Sequence, residues 1–313
     1  MKILVTGGCG FVGTLLTKAL LEEGHDIHAY DIMWFGNYLE DHPRLTVTQG
    51  DIRDIDSVPM EGMDAVIHLA NVANDPCSDL NSKLNWEVNV LATKLLVDKA
   101  IESGVRQFIY ASSGSVYGYK EEEQVTEELS LVPLSDYNKT KMISERVLLS
   151  YAKDLLVQIV RPATVCGYSP RMRLDLSVNI LTSQAYNNQR ITVFGGSQTR
   201  PNIHIRDMVG VYLHFLEQGD SIQGIYNAGF ENLSIMEIAE RASAKIQSKI
   251  VVTESNDPRS YRLNSNKLLA TGYRQQYKVD DAMEEVIAAF QDEKLKDDDQ
   301  YYNIRTMKGL ELD

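Results

Sequence analysis

Ile3-Leu4-Val5-Thr6-Gly7-Gly8-Cys9-Gly10-Phe11-Val12-Gly13 is the stretch whose reading decides the fold. A short apolar run enters a glycine-rich turn, and from Phe11 to Leu21 apolar residues recur at helical spacing until Gly24 stops the helix. The reading is strand, turn, helix. Gly7, Gly10 and Gly13 stand three apart. Such a turn needs glycine for backbone angles that a side chain forbids, for approach of a pyrophosphate to backbone N–H groups, and for tight helix–strand packing. The start of the helix, at Phe11 and Val12, then faces the anion with the positive end of its dipole.

Outward from this unit the alternation repeats. Residues 27–30, 45–47, 65–69, 108–110 and 157–160 read as short strands buried on both faces, separated by helices or long connections. Parallel strands with helical crossovers follow: an α/β fold with a Rossmann-type doubly wound parallel sheet. Long helices are expected at 81–103 and 136–153, each with apolar residues on more than one face. After about residue 165 the elements shorten, with turn signals at Tyr168-Ser169-Pro170, Gly195-Gly196 and Asn256-Asp257-Pro258. A Rossmann domain over 1–165 and a smaller α/β domain over 166–313 are expected, with 207–228 returning to the first sheet. The charged run Lys294 to Asp299 reads as a solvated surface segment.

Composition limits the function. The 313 residues are 43% hydrophobic and 24% charged, and 31 Lys+Arg against 44 Asp+Glu leave a net charge of −13. With no basic run to offset it, broad binding to nucleic acid or to anionic membrane is disfavoured, so any phosphate site is local. Cys9, Cys77 and Cys166 are far apart, without CxxC or Cys/His pairing, which suits neither a disulfide framework nor a metal site. No run of 18 uncharged apolar residues and no signal-peptide pattern is present, and a cytoplasmic protein is expected.

Asp31 closes the second strand, 18 residues after Gly13. That is near the spacing at which an acid accepts hydrogen bonds from the adenosine ribose hydroxyls, and it would repel a 2′-phosphate. NAD is therefore favoured over NADP. Asp51-Ile52 and Leu69-Ala70-Asn71 follow the third and fourth strands, at carboxyl ends where open α/β sheets place ligands.

Ala111-Ser112-Ser113-Gly114-Ser115-Val116-Tyr117-Gly118 follows the fifth strand, and Tyr137-Asn138-Lys139-Thr140-Lys141 opens the next long helix. Tyr137 and Lys141, at i and i+4, share a helical face, where an ammonium can lower the phenol's pKa and hold a cofactor ribose. The phenolate becomes a base, and a serine hydroxyl adds a second hydrogen bond to the alcohol or carbonyl being interconverted.

At these residues the chain resembles the extended short-chain dehydrogenase/reductase family, in its nucleotide-sugar epimerase and dehydratase group. The resemblance rests on TGGCGFVG at 6–13, SSGSVYG at 112–118, YNKTK at 137–141 and RPATVCG at 161–167, and spans nearly the whole chain. It implies an NAD(P)-binding Rossmann domain and a small nucleotide-sugar domain. By position it makes Tyr137 the base, Lys141 the ribose-binding lysine and Ser113, ahead of Ser112, the hydroxyl partner. Pro162 and Ala163 would lie near the nicotinamide, Ser115 and Tyr117 near the sugar. Asn179 resembles the family's asparagine before the substrate-domain helix, and Arg200 and Arg259 its pyrophosphate-binding arginines, a job suited to a planar bidentate fork. Where many members read Asn-Val-Tyr-Gly, this chain has Thr164-Val165-Cys166-Gly167, so a usual substrate contact is missing, and Arg173 is an additional candidate anion contact.

The family's dehydratases carry an Asp-Glu pair after the serine or threonine, whereas Gly114 and Ser115 follow Ser113, which disfavours a 4,6-dehydratase. Epimerisation through a 4-keto intermediate is the leading reading. Simple oxidation or ketone reduction at C4 stays open, and a non-catalytic dinucleotide sensor is the rival from another class. The resemblance also implies a homodimer through the helices at 81–103 and 136–153.

Overall fold

The computed structural model describes residues 1–254, 260–310 and 312. The strands are β1 (Lys2–Thr6), β2 (Asp26–Asp31), β3 (Leu45–Gln49), β4 (Ala65–His68), β5 (Gln107–Ala111), β6 (Leu156–Pro162), β7 (Thr164–Cys166), β8 (Arg190–Phe194), β9 (Thr199–His204), β10 (Gly224–Ala228), β11 (Glu231–Ser234) and β12 (Lys249–Thr253). The helices are α1 (Phe11–Glu22), α2 (Asp75–Ser78), α3 (Ser82–Trp86), α4 (Thr93–Glu102), α5 (Asp136–Ser150), α6 (Ser177–Asn188), α7 (Ile205–Gln218), α8 (Ile235–Lys245), α9 (Asn266–Ala270), α10 (Val279–Gln291) and α11 (Asn303–Lys308).

Seven parallel strands form the main sheet in the order β10-β6-β5-β4-β1-β2-β3. The chain winds from β1 towards β3 on one side and from β4 towards β10 on the other. The order therefore reverses between β1 and β4, where an open sheet leaves a crevice at its carboxyl edge. Every residue of β4 is buried, as its uninterrupted apolar run requires. Its last residue, His68, lies 2.6 Å from the Thr6 hydroxyl and 3.0 Å from that of Thr93, and burial drives its imidazole down to about 3. The neutral ring is a structural element under the crevice.

The helix expected at 81–103 is interrupted. Between α3 and α4 the chain makes a π-helical turn over Glu87–Ala92. Such wide turns often accompany functional sites, and this one carries Asn89. The Asn89 side chain accepts from Val72 N at 2.8 Å and donates to Val72 O, tying down the chain that leaves β4. Between this segment and α5 the contact is polar: Asn89 donates to Thr140, and the Ser144 hydroxyl donates to the Asn89 carbonyl at 2.6 Å. The buried apolar residues of both helices, Leu84, Val88, Leu96, Val97 and Leu148, face the sheet, while Leu91 is 55% exposed. Helix α5 ends at Ser150, short of the expected residue 153.

The second unit is built on a three-stranded sheet, β11-β9-β7, and a parallel pair, β8 and β12. Its core gathers residues such as Val178, Leu181, Ile191, Val193, Ile238 and Met283 from α6, β8, α8 and α10. Helix α7 packs on α1, β10 pairs with β6, and Leu268 of α9 joins the core of the first sheet, so the two units interleave along the chain. Asn256-Asp257-Pro258 lie outside the described residues. The run Lys294 to Asp299 is exposed apart from Leu295, but the chain beyond it does not stay in solvent. It returns across the molecule as α11, and Met307 inserts into the core that holds Val72 and Cys77.

Candidate active site

A cavity of about 390 Å³ runs along the carboxyl edge of the main sheet, under the segment that joins β7 to α6. Its floor exists because two residues lack side chains. Gly7 sits at φ +75°, and a Cβ there would lie 2.6 Å from the Ala70 nitrogen on the far side of the crevice. A Cβ on Gly13 would come within 2.1 Å of the Gly7 carbonyl oxygen. The turn is thus folded as tightly as the backbone allows, and the first N–H groups of α1 open into the cavity beside Gly10, Phe11 and Val12. These residues fit a dinucleotide pyrophosphate.

Asp31 lines the same cavity. One carboxylate oxygen accepts from Cys9 N at 3.0 Å and the other from Met33 N at 2.7 Å, which fixes the group while leaving it lone pairs for ribose hydroxyls. Burial holds its pKa above the ordinary carboxylate value, against the opposing pull of those N–H bonds and of Arg171. Asp51, Ile52, Leu69 and Ala70 line the cavity as well, with the Asp51 carboxylate held by Arg53 at 2.8 Å. Pro162 and Ala163 line it beyond the end of β6.

Tyr137 and Lys141 project from one face of α5 into the cavity, as their spacing requires. The Ser113 hydroxyl stands close enough to the phenol to lower its pKa, and lies 2.7 Å from the Ser115 hydroxyl, which donates to Asn138 at 2.5 Å. Ser112 is not available in this way: it is buried and donates to Glu145. The electrostatics differ from the sequence expectation. Lys141 donates to the Ala111 carbonyl at 2.8 Å and lies 5.9 Å from the centre of the Tyr137 ring, over its face and away from a direct phenol contact. Burial pushes the phenol up to about 12 and the ammonium down to about 7, so at neutral pH the phenol keeps its proton and the lysine stands near the middle of its titration. Desolvation is the largest influence on both; Ser113 lowers the phenol, and Glu145, one turn further along α5, raises the lysine.

The residues expected at the sugar divide. Ser115, Arg173 and Arg200 line the cavity. Arg173 forms a bidentate pair with Asp175 at 2.9 and 3.0 Å and lies close enough to Tyr137 to lower its pKa. Tyr117 faces the other way. The turn at Gly114–Tyr117 carries its ring fully inside, where the hydroxyl donates to Asn227 at 2.8 Å and accepts from Arg161 at 2.7 Å. It has no side-chain surface for a substrate. Asn179 is also fully buried, inside the first turn of α6; it accepts from Gly167 N at 3.0 Å and donates to Arg173 O at 2.9 Å. It shapes the segment bearing Arg173 and does not line the cavity. Arg259 lies outside the described residues. Thr164 lines the cavity at the position of the missing asparagine, while the Cys166 thiol is buried and donates to Ile203 O.

Cavity residues that the sequence reading did not single out include Asp75, whose charge raises the Tyr137 phenol, Phe35 and Asn303, while Arg171 falls in the run Ser169 to Asp175, which the sequence offers as a source of polar groups in place of the missing asparagine. The signal for Asp75 was Asn74-Asp75-Pro76, a cap followed by proline, which starts α2 at the edge of the site. Phe35, Arg171 and Asn303 come from distant segments that meet only in the fold.

Residues 3–229 match the model of the "NAD dependent epimerase/dehydratase family". The chain is 32% identical over 240 residues to the uncharacterized protein y4nG of Sinorhizobium fredii, covering 74% of this chain and 57% of that one. It is 26% identical over 297 residues to the UDP-glucose 4-epimerase of Lactobacillus helveticus, covering 85% and 89%. Among solved structures it resembles the UDP-glucuronic acid 4-epimerase of Bacillus cereus in complex with UDP-glucuronic acid and NAD, at TM-score 0.83 and 27% identity, covering 93% and 99%.

If Asp31 receives the adenosine ribose hydroxyls, Asp31→Ala is expected to weaken NAD binding by about 10- to 100-fold, the cost of losing hydrogen bonds to a charged acceptor. The gap between NAD and NADP should narrow. Calorimetry with both dinucleotides checks this, and tighter binding of NADP than NAD by the unaltered protein would remove the ribose role.

Proposed function

The chain belongs to the NAD-dependent epimerase/dehydratase family, with NAD as its cofactor, and on that footing we propose that it is a nucleotide-sugar 4-epimerase working through a 4-keto intermediate. The observation that carries this reading is the convergence of Tyr137, Ser113 and Lys141 on one cavity with the glycine turn and Asp31. A dinucleotide sensor has no use for a phenol, an ammonium and a hydroxyl gathered at a carboxyl strand edge.

NAD, when bound, supplies the acceptor for the C4 hydride, the source of its return, and positive charge beside the phenol. Tyr137 removes the proton of the C4 hydroxyl. Because burial holds the free phenol up to about 12 even with Ser113 lowering it, the charge brought into the site must bring it into working range. Ser113 holds the substrate oxygen in line, with its own hydroxyl oriented by Ser115 and Asn138. Lys141, anchored on Ala111 O, holds the ribose and carries its charge more readily once anionic groups enter. Arg200, and Arg173 with Asp175, supply the polar wall for the nucleotide-sugar pyrophosphate and sugar. Return of the hydride to the opposite face of the ketone inverts C4.

The relatives named as 4-epimerases of UDP-sugars support this reaction, as does Gly114-Ser115 in the place of a carboxylate pair after Ser113. A partner copy of the chain fits the outward faces of α3, the π turn, α4 and α5, where Leu91 is exposed and Trp86, Val90, Ile143 and Val147 are half-buried. We propose a homodimer through that face, with no part for nucleic acid or membrane; among the described residues no helix is long and apolar enough to cross one.

Incubation with a panel of UDP-, dTDP- and GDP-sugars, followed by NMR of the products, should give a C4 epimer, with turnover reduced about 10²- to 10⁴-fold in Tyr137→Phe. A 6-deoxy-4-keto product, or full activity of the Phe variant, would contradict the assignment. Light scattering at micromolar concentration is expected to give twice the chain mass of 35.3 kDa, and a single-chain mass would end the dimer proposal.

A further inference from the structure

Arg171 is the most conspicuous charge that the proposed chemistry leaves unused. It lies in the segment between β7 and α6, is 2% exposed, and lines the cavity. Its guanidinium carbon stands 4.0 Å from the centre of the Phe35 ring. One terminal nitrogen donates to Met172 O at 3.1 Å, the other to the Asn303 side chain at 2.6 Å, and Nε has no partner. Among the described residues no carboxylate pairs with it. The two nearby acids are engaged elsewhere, Asp175 by both donors of Arg173 and Asp31 by the N–H groups of Cys9 and Met33. A buried cation without an anion is costly, and a second arginine beside it raises that cost. Burial and the charge of Arg173 accordingly depress Arg171 to about 10, which leaves it charged at neutral pH.

The missing anion must come with a ligand, and the surroundings decide which ligand. Arg171 is packed against Phe35; of the groups whose charge it feels, Arg173 and Asp175 belong to its own segment, and Tyr38 and Asp31 lie with Phe35 at or just after the end of β2. That is the adenosine side of the cavity. Arg200, Tyr212 and Tyr261 line the cavity from other elements, β9, α7 and the segment after residue 259. We propose that Arg171 binds the pyrophosphate of the dinucleotide from the side opposite the glycine turn, and that Phe35 and Asn303 hold it there, closing the cavity over the cofactor. Phe35 orients the guanidinium plane, as an aromatic face can. Asn303 brings in the C-terminal segment: α11 is fastened to the first core through Met307, so the end of the chain straps the cofactor site shut. A cofactor held from both sides stays bound between turnovers, as a reaction that returns its hydride requires. This inference rests on NAD as the cofactor and not on the choice of sugar reaction.

The test is binding, with no turnover measured. Protein stripped of nucleotide is titrated by calorimetry with NAD, ADP, adenosine and UDP, for the unaltered chain and for Arg171→Met, Arg171→Lys and Asn303→Ala. Arg171→Met should weaken NAD and ADP by about 10- to 100-fold, the range for a charge-assisted contact, and leave adenosine and UDP within about twofold. Arg171→Lys should recover part of the loss, and Asn303→Ala should weaken NAD by a smaller factor. Unstripped Arg171→Met should also carry less dinucleotide after dialysis than the unaltered protein. Unchanged affinity for NAD and ADP in the arginine variants would overturn the proposal, and loss confined to UDP would move Arg171 to the sugar nucleotide. Should Arg171→Met fail to fold, the lysine and Asn303 variants decide by the same criterion.

Discussion

The closeness of two backbones at the reversal point of the sheet governs the rest of the molecule. β1 and β4 are hydrogen-bonded neighbours, and the chains leaving them turn apart at once, one into α1 and the other towards α2. Between them Gly7 and Ala70 approach so closely that a single methyl group would collide with main chain. Gly13 allows the first turn of α1 to press against the Gly7 carbonyl in the same way. That approach directs the start of α1 into the cavity and brings Asp31, Leu69 and Ala70 to one wall of it. A Cβ at either glycine would have to displace backbone, which no side-chain adjustment relieves.

The second constraint is a charged assembly underneath α5. Arg161, with its side chain 2% exposed, makes a bidentate pair with Glu145 at 2.6 and 2.9 Å, and the same two residues bind Tyr117 and Ser112. A pair buried this deeply specifies geometry more than it adds stability, and removing one partner leaves a charge stranded, at a cost of about 3–5 kcal/mol. Here it fixes the end of β5 against α5, so that Ser113 faces Tyr137 while Ser112 does not. Glu145 is also the group that raises the Lys141 ammonium against its desolvation. The catalytic face is therefore fixed from below by a buried ion pair, and its phenol keeps its proton until a charged ligand enters the site.

Legibility in the sequence followed the range of the interactions. The glycine turn, the acid after β2 and the Tyr137–Lys141 spacing are local patterns, each complete within one strand–turn–helix or one helical turn, and the structure brings all of them to the same cavity. Misreadings arose where a distant partner decides orientation. Tyr117 is a polar aromatic beside the catalytic serines, but Arg161 and Asn227 draw its hydroxyl inward. Asn179 is placed at the right element and spent on Gly167 and Arg173 backbone. The interruption of the helix over Glu87–Ala92 has no periodicity of its own, and the Asn89 within it bonds the chain after β4, a partner that lies outside the helix. The meeting of Phe35, Arg171 and Asn303 joins residues more than 130 positions apart and could be seen only after folding.

The claim at the centre of this account is that the hydride leaves C4 and returns to it within one closed site. A nucleotide sugar carrying deuterium at C4, incubated with the protein and an excess of unlabelled NADH, tests it directly by mass spectrometry and NMR. The account predicts that the epimeric product keeps its deuterium at C4 and that none appears in the free dinucleotide pool. Loss of the label to that pool, or release of an unlabelled 4-ketose as the main product, would contradict it.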